Sequence, residues 1–121
     1  MQKVFLFAII ALFVFGCASS KKAVDISIGT WDHVVKDTPY GDVKGYMVIA
    51  KEGDNYTGSL NSDQGSISIE NLTIQDGNLK GMFYMEGTEI QMSGTFEGTT
   101  YTGKVSVDYD EFVMTAIKRE P

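Results

Sequence analysis

The sequence predicts an all-β protein, an eight-stranded antiparallel up-and-down β-barrel that follows an N-terminal signal peptide. Three observations carry this. From Ile26 onward apolar and polar residues alternate with period two, as in a strand with one buried face. Turn residues break the alternation at intervals of roughly eight to twelve residues, the spacing of sandwiches and barrels. No stretch carries a convincing helical period. A chain of 121 residues holds one domain with a modest core.

The first segment stands apart. Met1-Gln2-Lys3 bears one positive charge, Val4 to Phe15 is a nearly unbroken apolar run, and Gly16, Cys17, Ala18, Ser19 and Ser20 are small. A basic start, a short apolar stretch and small residues at a cleavage point describe a secretory signal peptide over residues 1–16. The run is shorter than the roughly 20 apolar residues of a membrane-spanning helix. Residues 17–25 then form a short tether, and residues 26–121 form the barrel domain.

Within that domain the strands read in order as Ile28–Lys36, Val43–Lys51, Asn55–Leu60, Ser66–Gln75, Asn78–Met85, Glu89–Phe96, Thr99–Val107 and Glu111–Arg119. Glu52-Gly53-Asp54, Asp76-Gly77, Glu86-Gly87, Glu97-Gly98 and Asp108-Tyr109-Asp110 separate them, with a longer connection over Asp37–Asp42. Acid–glycine pairs supply the positive φ that tight hairpins require. The fourth strand is expected to bend or bulge near Glu70-Asn71. Short connections throughout imply antiparallel neighbours in a meander.

Strand parity sorts the side chains by face. One face carries Trp31, His33, Val35, Met47, Ile49, Tyr56, Leu60, Ile67, Ile69, Leu79, Phe83, Met85, Ile90, Met92, Phe96, Tyr101, Val105, Val107, Phe112, Met114 and Ala116. The other carries Lys51, Thr57, Ser59, Lys80, Gln91, Ser93, Thr95, Thr102, Lys104 and Ser106. An apolar and a polar face on consecutive antiparallel strands suits a closed barrel, which leaves no exposed edge. Glycine recurs on the inner face. Tyr56-Thr57-Gly58 and Tyr101-Thr102-Gly103 are exact repeats, and Gly81 and Gly94 stand in looser copies. A missing side chain there lets a strand bend at a corner or lets a large neighbour take the space. Those gaps either leave room for a ligand or are filled by Trp31, Phe83, Phe96 and Phe112.

Net charge is −6, and removal of residues 1–16 takes Lys3 and no acid, so ten basic residues become nine against sixteen acidic ones, net −7. No basic patch accompanies this balance, so nucleic acid is not an expected partner. Cys17 is the only cysteine, which excludes a disulfide framework and a Cys-rich metal site.

Two resemblances bear on what the chain does. Val14-Phe15-Gly16-Cys17 resembles the lipobox of bacterial lipoproteins. That likeness implies that Cys17 is diacylated (with chains such as palmitate) and anchors the domain in the cell envelope, at the outer membrane on its periplasmic or surface face. Gly29-Thr30-Trp31, the meander and the closing Thr115-Ala116-Ile117-Lys118-Arg119 resemble bacterial lipocalin-like proteins of the calycin superfamily. In that family the tryptophan closes one end of the barrel under a basic side chain of the last strand. The likeness implies this role for Trp31 with Lys118, or with Arg119 if the strand bulges. Avidin-like barrels share Gly-Thr-Trp, but their biotin site needs further tryptophans and this chain has only Trp31, so biotin binding is not carried over.

The topology places the tether at the Trp31 end and the loops Asp37–Lys44, Asn61–Gly65, Glu86–Thr88 and Asp108–Glu111 at the opposite mouth. Asp37, Asp42, Asp63, Glu86, Glu89, Asp108, Asp110 and Glu111 gather there against Lys36 and Lys44. Such a rim solubilises the domain and disfavours anionic ligands. The candidate ligand-binding residues are His33, Met47, Tyr56, Phe83, Met85, Met92, Phe96, Tyr101, Phe112 and Met114, a soft apolar wall with one imidazole. Barrels of this strand number are just wide enough to be packed or to hold one small ligand. No nucleophile–base pair, phosphate loop, paired inward carboxylates or metal-ligand spacing appears, so no catalytic residue, metal or cofactor is expected. The expected function is binding of a small hydrophobic ligand by a monomeric, membrane-anchored barrel. The alternative is a structural or partner-binding envelope lipoprotein with a packed core.

Overall fold

The computed structural model describes residues 25–120. The expected signal peptide, Cys17 and all of the tether before Asp25 lie outside the described residues. Eight strands form one closed antiparallel barrel: β1 (Gly29–Thr38), β2 (Gly41–Glu52), β3 (Asn55–Ser62), β4 (Gly65–Gln75), β5 (Asn78–Met85), β6 (Thr88–Glu97), β7 (Thr100–Val107) and β8 (Asp110–Lys118). Each strand pairs with the next, and β1 closes the ring on β8 from Trp31↔Lys118 to Val35↔Met114. The Arg119 N–H, donating to the Thr30 carbonyl at 2.7 Å, extends this seam past the end of β8. The expected all-β, up-and-down barrel is therefore the fold.

The hairpins show why the chain turns where it does. Asp76-Gly77 and Glu86-Gly87 hold positive φ at both residues, which gives two-residue turns whose twist matches the strands they join. The connection expected over Asp37–Asp42 is shorter than predicted. Strands β1 and β2 continue to Thr38 and Gly41, leaving only Pro39-Tyr40 between them. Their register shifts between Val35 and Thr38, where Asp37 adopts φ 58° and its N–H donates to the Asp42 carboxylate at 3.0 Å. A bulge absorbs the extra residue and lets pairing resume. A second bulge falls in β4 between Glu70 and Thr73, with Asn71 at φ 53°, where the sequence predicted one. It resets parity, so Leu72 and Ile74 turn inward after Ile67 and Ile69.

The core fills the barrel unevenly along its axis. Trp31, Met47, Tyr101 and Met114 are 0% exposed, so no water-sized space touches them. Trp31, Met47 and Tyr101 lie toward the end where β1 begins and β8 ends, and Met114 stands opposite Val35. Toward the other end Val35, Leu60, Ile67, Val107 and Phe112 are only partly buried beside the buried Phe83, Ile90 and Val105, while Tyr56, Leu72 and Ile74 are partly buried toward the first end. The expected placement fails at two strand ends. Lys51, assigned to the outer face, follows Met47 and Ile49 onto the inner register at the barrel's rim, where its ammonium lies 4.9 Å from the Tyr56 ring centroid. Met85, assigned to the interior, keeps the inner register but is 47% exposed, because β5 ends there and nothing packs above it.

Candidate functional site: the barrel interior

The closed end is built by a short plug. Asp25, expected to be the last residue of the tether, accepts hydrogen bonds from the Ser27 hydroxyl at 2.6 Å, the Ser27 N–H at 3.1 Å and the Tyr56 hydroxyl. Partial burial pushes the Asp25 carboxyl up, but these donors outweigh it and hold its pKa below the ordinary value. The Ser27 carbonyl in turn accepts the Trp31 indole N–H at 3.0 Å. Lys118 Nζ lies 5.6 Å from the Trp31 ring and donates to the Ile26 carbonyl at 2.9 Å. Arg119, the alternative partner, turns outward instead, ion-paired with Asp32 and stacked 5.0 Å from the Tyr46 ring. Trp31, Phe96 and Tyr101 follow as a tilted aromatic stack, with centroids 4.8 and 4.9 Å apart.

The inward glycines are filled. A Cβ on Gly94 would strike the Tyr101 ring at 2.6 Å, whereas one on Gly103 would run into the backbone of β6, meeting the Gly94 Cα at 2.6 Å and the Ser93 carbonyl closer still. A Cβ on Gly58 would meet Leu72 at 2.9 Å and Ile69 at 3.0 Å, and one on Gly81 would meet Ile69 at 2.7 Å. The occupants are thus Tyr101, Ile69, Leu72 and, at Gly103, the backbone of β6, rather than the expected Trp31, Phe83, Phe96 and Phe112. Sequence parity could place the glycines inward. It could not say along which direction the Tyr101 ring would lie, and the β4 bulge hid Leu72 from the count.

Of the candidate ligand-binding residues, the structure gathers Met47, Met92, Phe96, Tyr101 and Met114 in the packed floor. Phe83 is buried nearby, Phe112 stands partly exposed toward the mouth, Tyr56 belongs to the plug and Met85 to the rim. His33 sits between these zones. It is 6% exposed and pairs across the sheet with Gly45 and Ala116, the smallest neighbours available. Burial lowers its pKa, against a weaker pull from Asp32, so the imidazole is neutral near pH 7. Both ring nitrogens lack a hydrogen-bond partner, as does the buried Tyr101 hydroxyl, whose pKa burial pushes up. Above His33 the inner wall carries the partly buried Val35, Leu60, Ile67, Val107 and Phe112 beside the buried Phe83, Ile90 and Val105, with Val43 37% and Met85 47% exposed at the lip. The acids expected at the mouth are all exposed around it.

Two depressions mark the outer wall, of about 370 and 820 Å³. They share Lys80 and Ser93, and both are open to solvent along β5, β6 and β7. Among the described residues no group of three or more acids, histidines or cysteines is arranged to hold a metal ion.

No protein-family profile matches this chain, and no curated protein does. Among solved structures it is similar to fatty-acid-binding protein 1 of Echinococcus granulosus, with TM-score 0.57 and 16% identity over 80% of this chain and 100% of that one. At that identity the likeness speaks for the fold alone, a closed antiparallel β-barrel.

Proposed function

We propose that this domain binds one small hydrophobic molecule in the open half of its barrel. The observation that carries the reading is the gradient inside the barrel. A floor without accessible space lies under inward apolar side chains of β1, β3, β4, β7 and β8 that water still partly reaches. Apolar surface turned inward yet left wet is stabilised by whatever apolar molecule covers it, at about 25 cal/mol per Å². The solved neighbour, a fatty-acid-binding protein, supports the same reading through its fold. The site lies above the packed floor, so Val35, Leu60, Ile67, Met85, Val107 and Phe112 join His33 as its wall, and Met47, Trp31 and Tyr101 act from below as its support. We further propose that the domain is a monomeric, non-enzymatic lipoprotein of the bacterial cell envelope, held at the outer membrane through Cys17.

Native mass spectrometry of protein purified from its own host tests the binding reading, together with thermal stabilisation by a panel of fatty acids and isoprenoids. A co-purifying apolar mass, or a raised melting temperature with some panel members, is expected. Neither being seen would sink it. The second reading, a packed barrel that works through a protein partner, draws on the floor itself and on the two outer-wall depressions. It gains if the panel leaves stability unchanged while the same preparation retains a stoichiometric protein.

A further inference from the structure

Backbone pairing is uneven around the mouth. Between β2 and β3 it reaches Tyr46↔Asn61, next to the last residue of β3, and between β6 and β7 it reaches Gln91↔Ser106, next to the last residue of β7. Two other boundaries stop short on both sides. The β8–β1 seam ends at Val35↔Met114, and residues 36–38 of β1 and 110–113 of β8 run on to the mouth without pairing to each other. The β4–β5 ladder ends at Glu70↔Met82, and residues 65–69 of β4 and 83–85 of β5 do likewise. In a ring of eight strands these two boundaries lie opposite one another. They divide the mouth end into two jaws, β1–β4 and β5–β8, each with two hairpins and a bonded ladder between them. Toward the plugged end the jaws are one sheet, joined by the pairs Trp31↔Lys118 to Val35↔Met114 and Thr73↔Lys80 to Gln75↔Asn78.

Two further features fall on the same lines. Each slit has a β-bulge at its base, one in β1 between Val35 and Thr38 and one in β4 between Glu70 and Thr73. A bulge bends its strand and raises the local twist, which turns the strand away from a neighbour. The burial of the inner side chains follows the slits as well. Val35, Val43 and Phe112 flank the β8–β1 slit, and Leu60, Ile67 and Met85 lie on or beside the β4–β5 slit; each is partly buried or exposed. Val107, one strand from the first slit, is partly buried too. Ile90 and Val105, on the central strands of the β5–β8 jaw, are buried, as is Phe83 at the foot of the second slit. Water thus reaches the apolar lining of the mouth chiefly along the slits.

Parting the jaws at the mouth breaks no ladder pair, because none spans either slit among the described residues. Separating β2 from β3, or β6 from β7, would break a ladder that runs nearly to the strand end. Local opening follows the boundary with the fewest backbone bonds and the least buried apolar surface. We infer that the mouth works as two jaws, β1–β4 and β5–β8, which move apart about the plugged end, and that the apolar ligand passes in and out through the slits between them. The passage of ligand rests on the binding reading above; the motion of the jaws does not. The plug secures the hinge, since the Trp31 indole is held by Ser27 and the Lys118 ammonium by Ile26 at the foot of the seam.

The four hairpin tips supply the test, because neighbouring tips lie alternately within a jaw and across a slit. In a Cys17→Ser background, which removes the only native thiol, cysteine pairs are placed at exposed tip residues. Tyr40→Cys with Gln64→Cys, and Glu86→Cys with Tyr109→Cys, each lie within one jaw. Tyr40→Cys with Tyr109→Cys, and Gln64→Cys with Glu86→Cys, each span a slit. Spin labels on these pairs, read by electron paramagnetic resonance, are expected to give broader distance distributions across the slits than within the jaws. The same pairs are then joined by a short bis-maleimide, and binding and release of a fluorescent apolar probe are timed. A staple across one slit or the other is expected to slow both rates at least about tenfold, as a closed gate does, while staples within a jaw leave them unchanged. Equal distribution widths in all four pairs would overturn the jaws. Rates unchanged by both slit staples, in protein that binds the probe, would overturn passage between the jaws and leave the binding reading standing. No probe binding before stapling would overturn the binding reading and the passage with it, and the label distances would still decide the jaws.

Discussion

His33 is a titratable side chain whose sheet neighbours offer it no charge. From β2 it meets Gly45, and from β8 it meets Ala116. The nearest carboxylate, Asp32, points to the outer face, where Arg119 holds it. Burial lowers the His33 pKa, and Asp32 offsets this only in part. The consequence for stability has a definite sign. The unfolded chain takes up a proton as pH falls through the ordinary histidine value of 6.5, while the folded chain does not until a lower pH. The unfolded state then binds more protons, so stability is lost on acidification from that point. The carboxylates with depressed pKa act in a separate window, because Asp25 and Asp32 lie below 3.8 and Glu111 below 4.5. The urea midpoint of the wild-type domain should therefore fall between neutrality and about pH 5, and His33→Leu should flatten that stretch of the curve. Equal slopes in the two proteins would show that His33 is not held neutral by the fold. Parity alone put this histidine on the inner face. Its lack of any partner depended on the Ala116 and Gly45 pairings, which only the three-dimensional register supplies.

At the scale of the strand, glycine and tyrosine form one device. Strands β6 and β7 pair Gly94 directly with Gly103, and Tyr101 lays its ring over Gly94. Two adjacent inner positions without side chains let the strands approach and leave a slot the width of an aromatic ring. Gly94→Ala puts a methyl into that ring. Because Tyr101 is enclosed by Phe96 and the floor, it has little freedom to move aside. The substitution should cost about 1–3 kcal/mol, as overpacking of a filled core does. The double variant Gly94→Ala with Tyr101→Leu should recover part of that loss in a urea titration. If the single substitution is neutral, the slot is looser than the contacts imply. Much of this level was legible beforehand: strand order, the β4 bulge, the turn pairs and the inward glycines all follow from alternation and φ requirements. Strand ends were less so. Pairing continued through Thr38 and Gly41 because the Asp37 N–H found the Asp42 side chain, a tertiary event that residue propensities do not encode. Met85 and Lys51 obey parity in direction, but a strand's last residue has no layer above it to bury it.

For the molecule as a whole, the two ends of the barrel differ in kind. The plugged end receives the chain at Asp25 and fixes it through Ser27, Tyr56 and Lys118. The other end carries the partly wet apolar side chains and the acidic loops. An anchor at Cys17 would thus join the barrel at the end where no ligand enters, with residues 17–24 as the link. Membrane attachment and the proposed binding would then be separable, since the anchor's partition would depend on its acyl chains and the affinity on the side chains of the mouth. One acyl chain gives marginal, reversible attachment and two give a stable one. The acidic domain itself, net −7 once residues 1–16 are removed (nine basic against sixteen acidic), adds no attraction to an anionic bilayer. Attachment should therefore rest on Cys17 alone. Cys17→Ser, expressed in a bacterial host that processes lipoproteins, should move the protein from the membrane to the soluble fraction. The melting temperature of the released domain, and any stabilisation by the ligand panel, should match those of the detergent-solubilised wild type. Unchanged fractionation would rule out anchoring through Cys17. Release accompanied by loss of ligand stabilisation would show instead that the anchor end and the mouth are coupled, contrary to the division of labour that the plug implies.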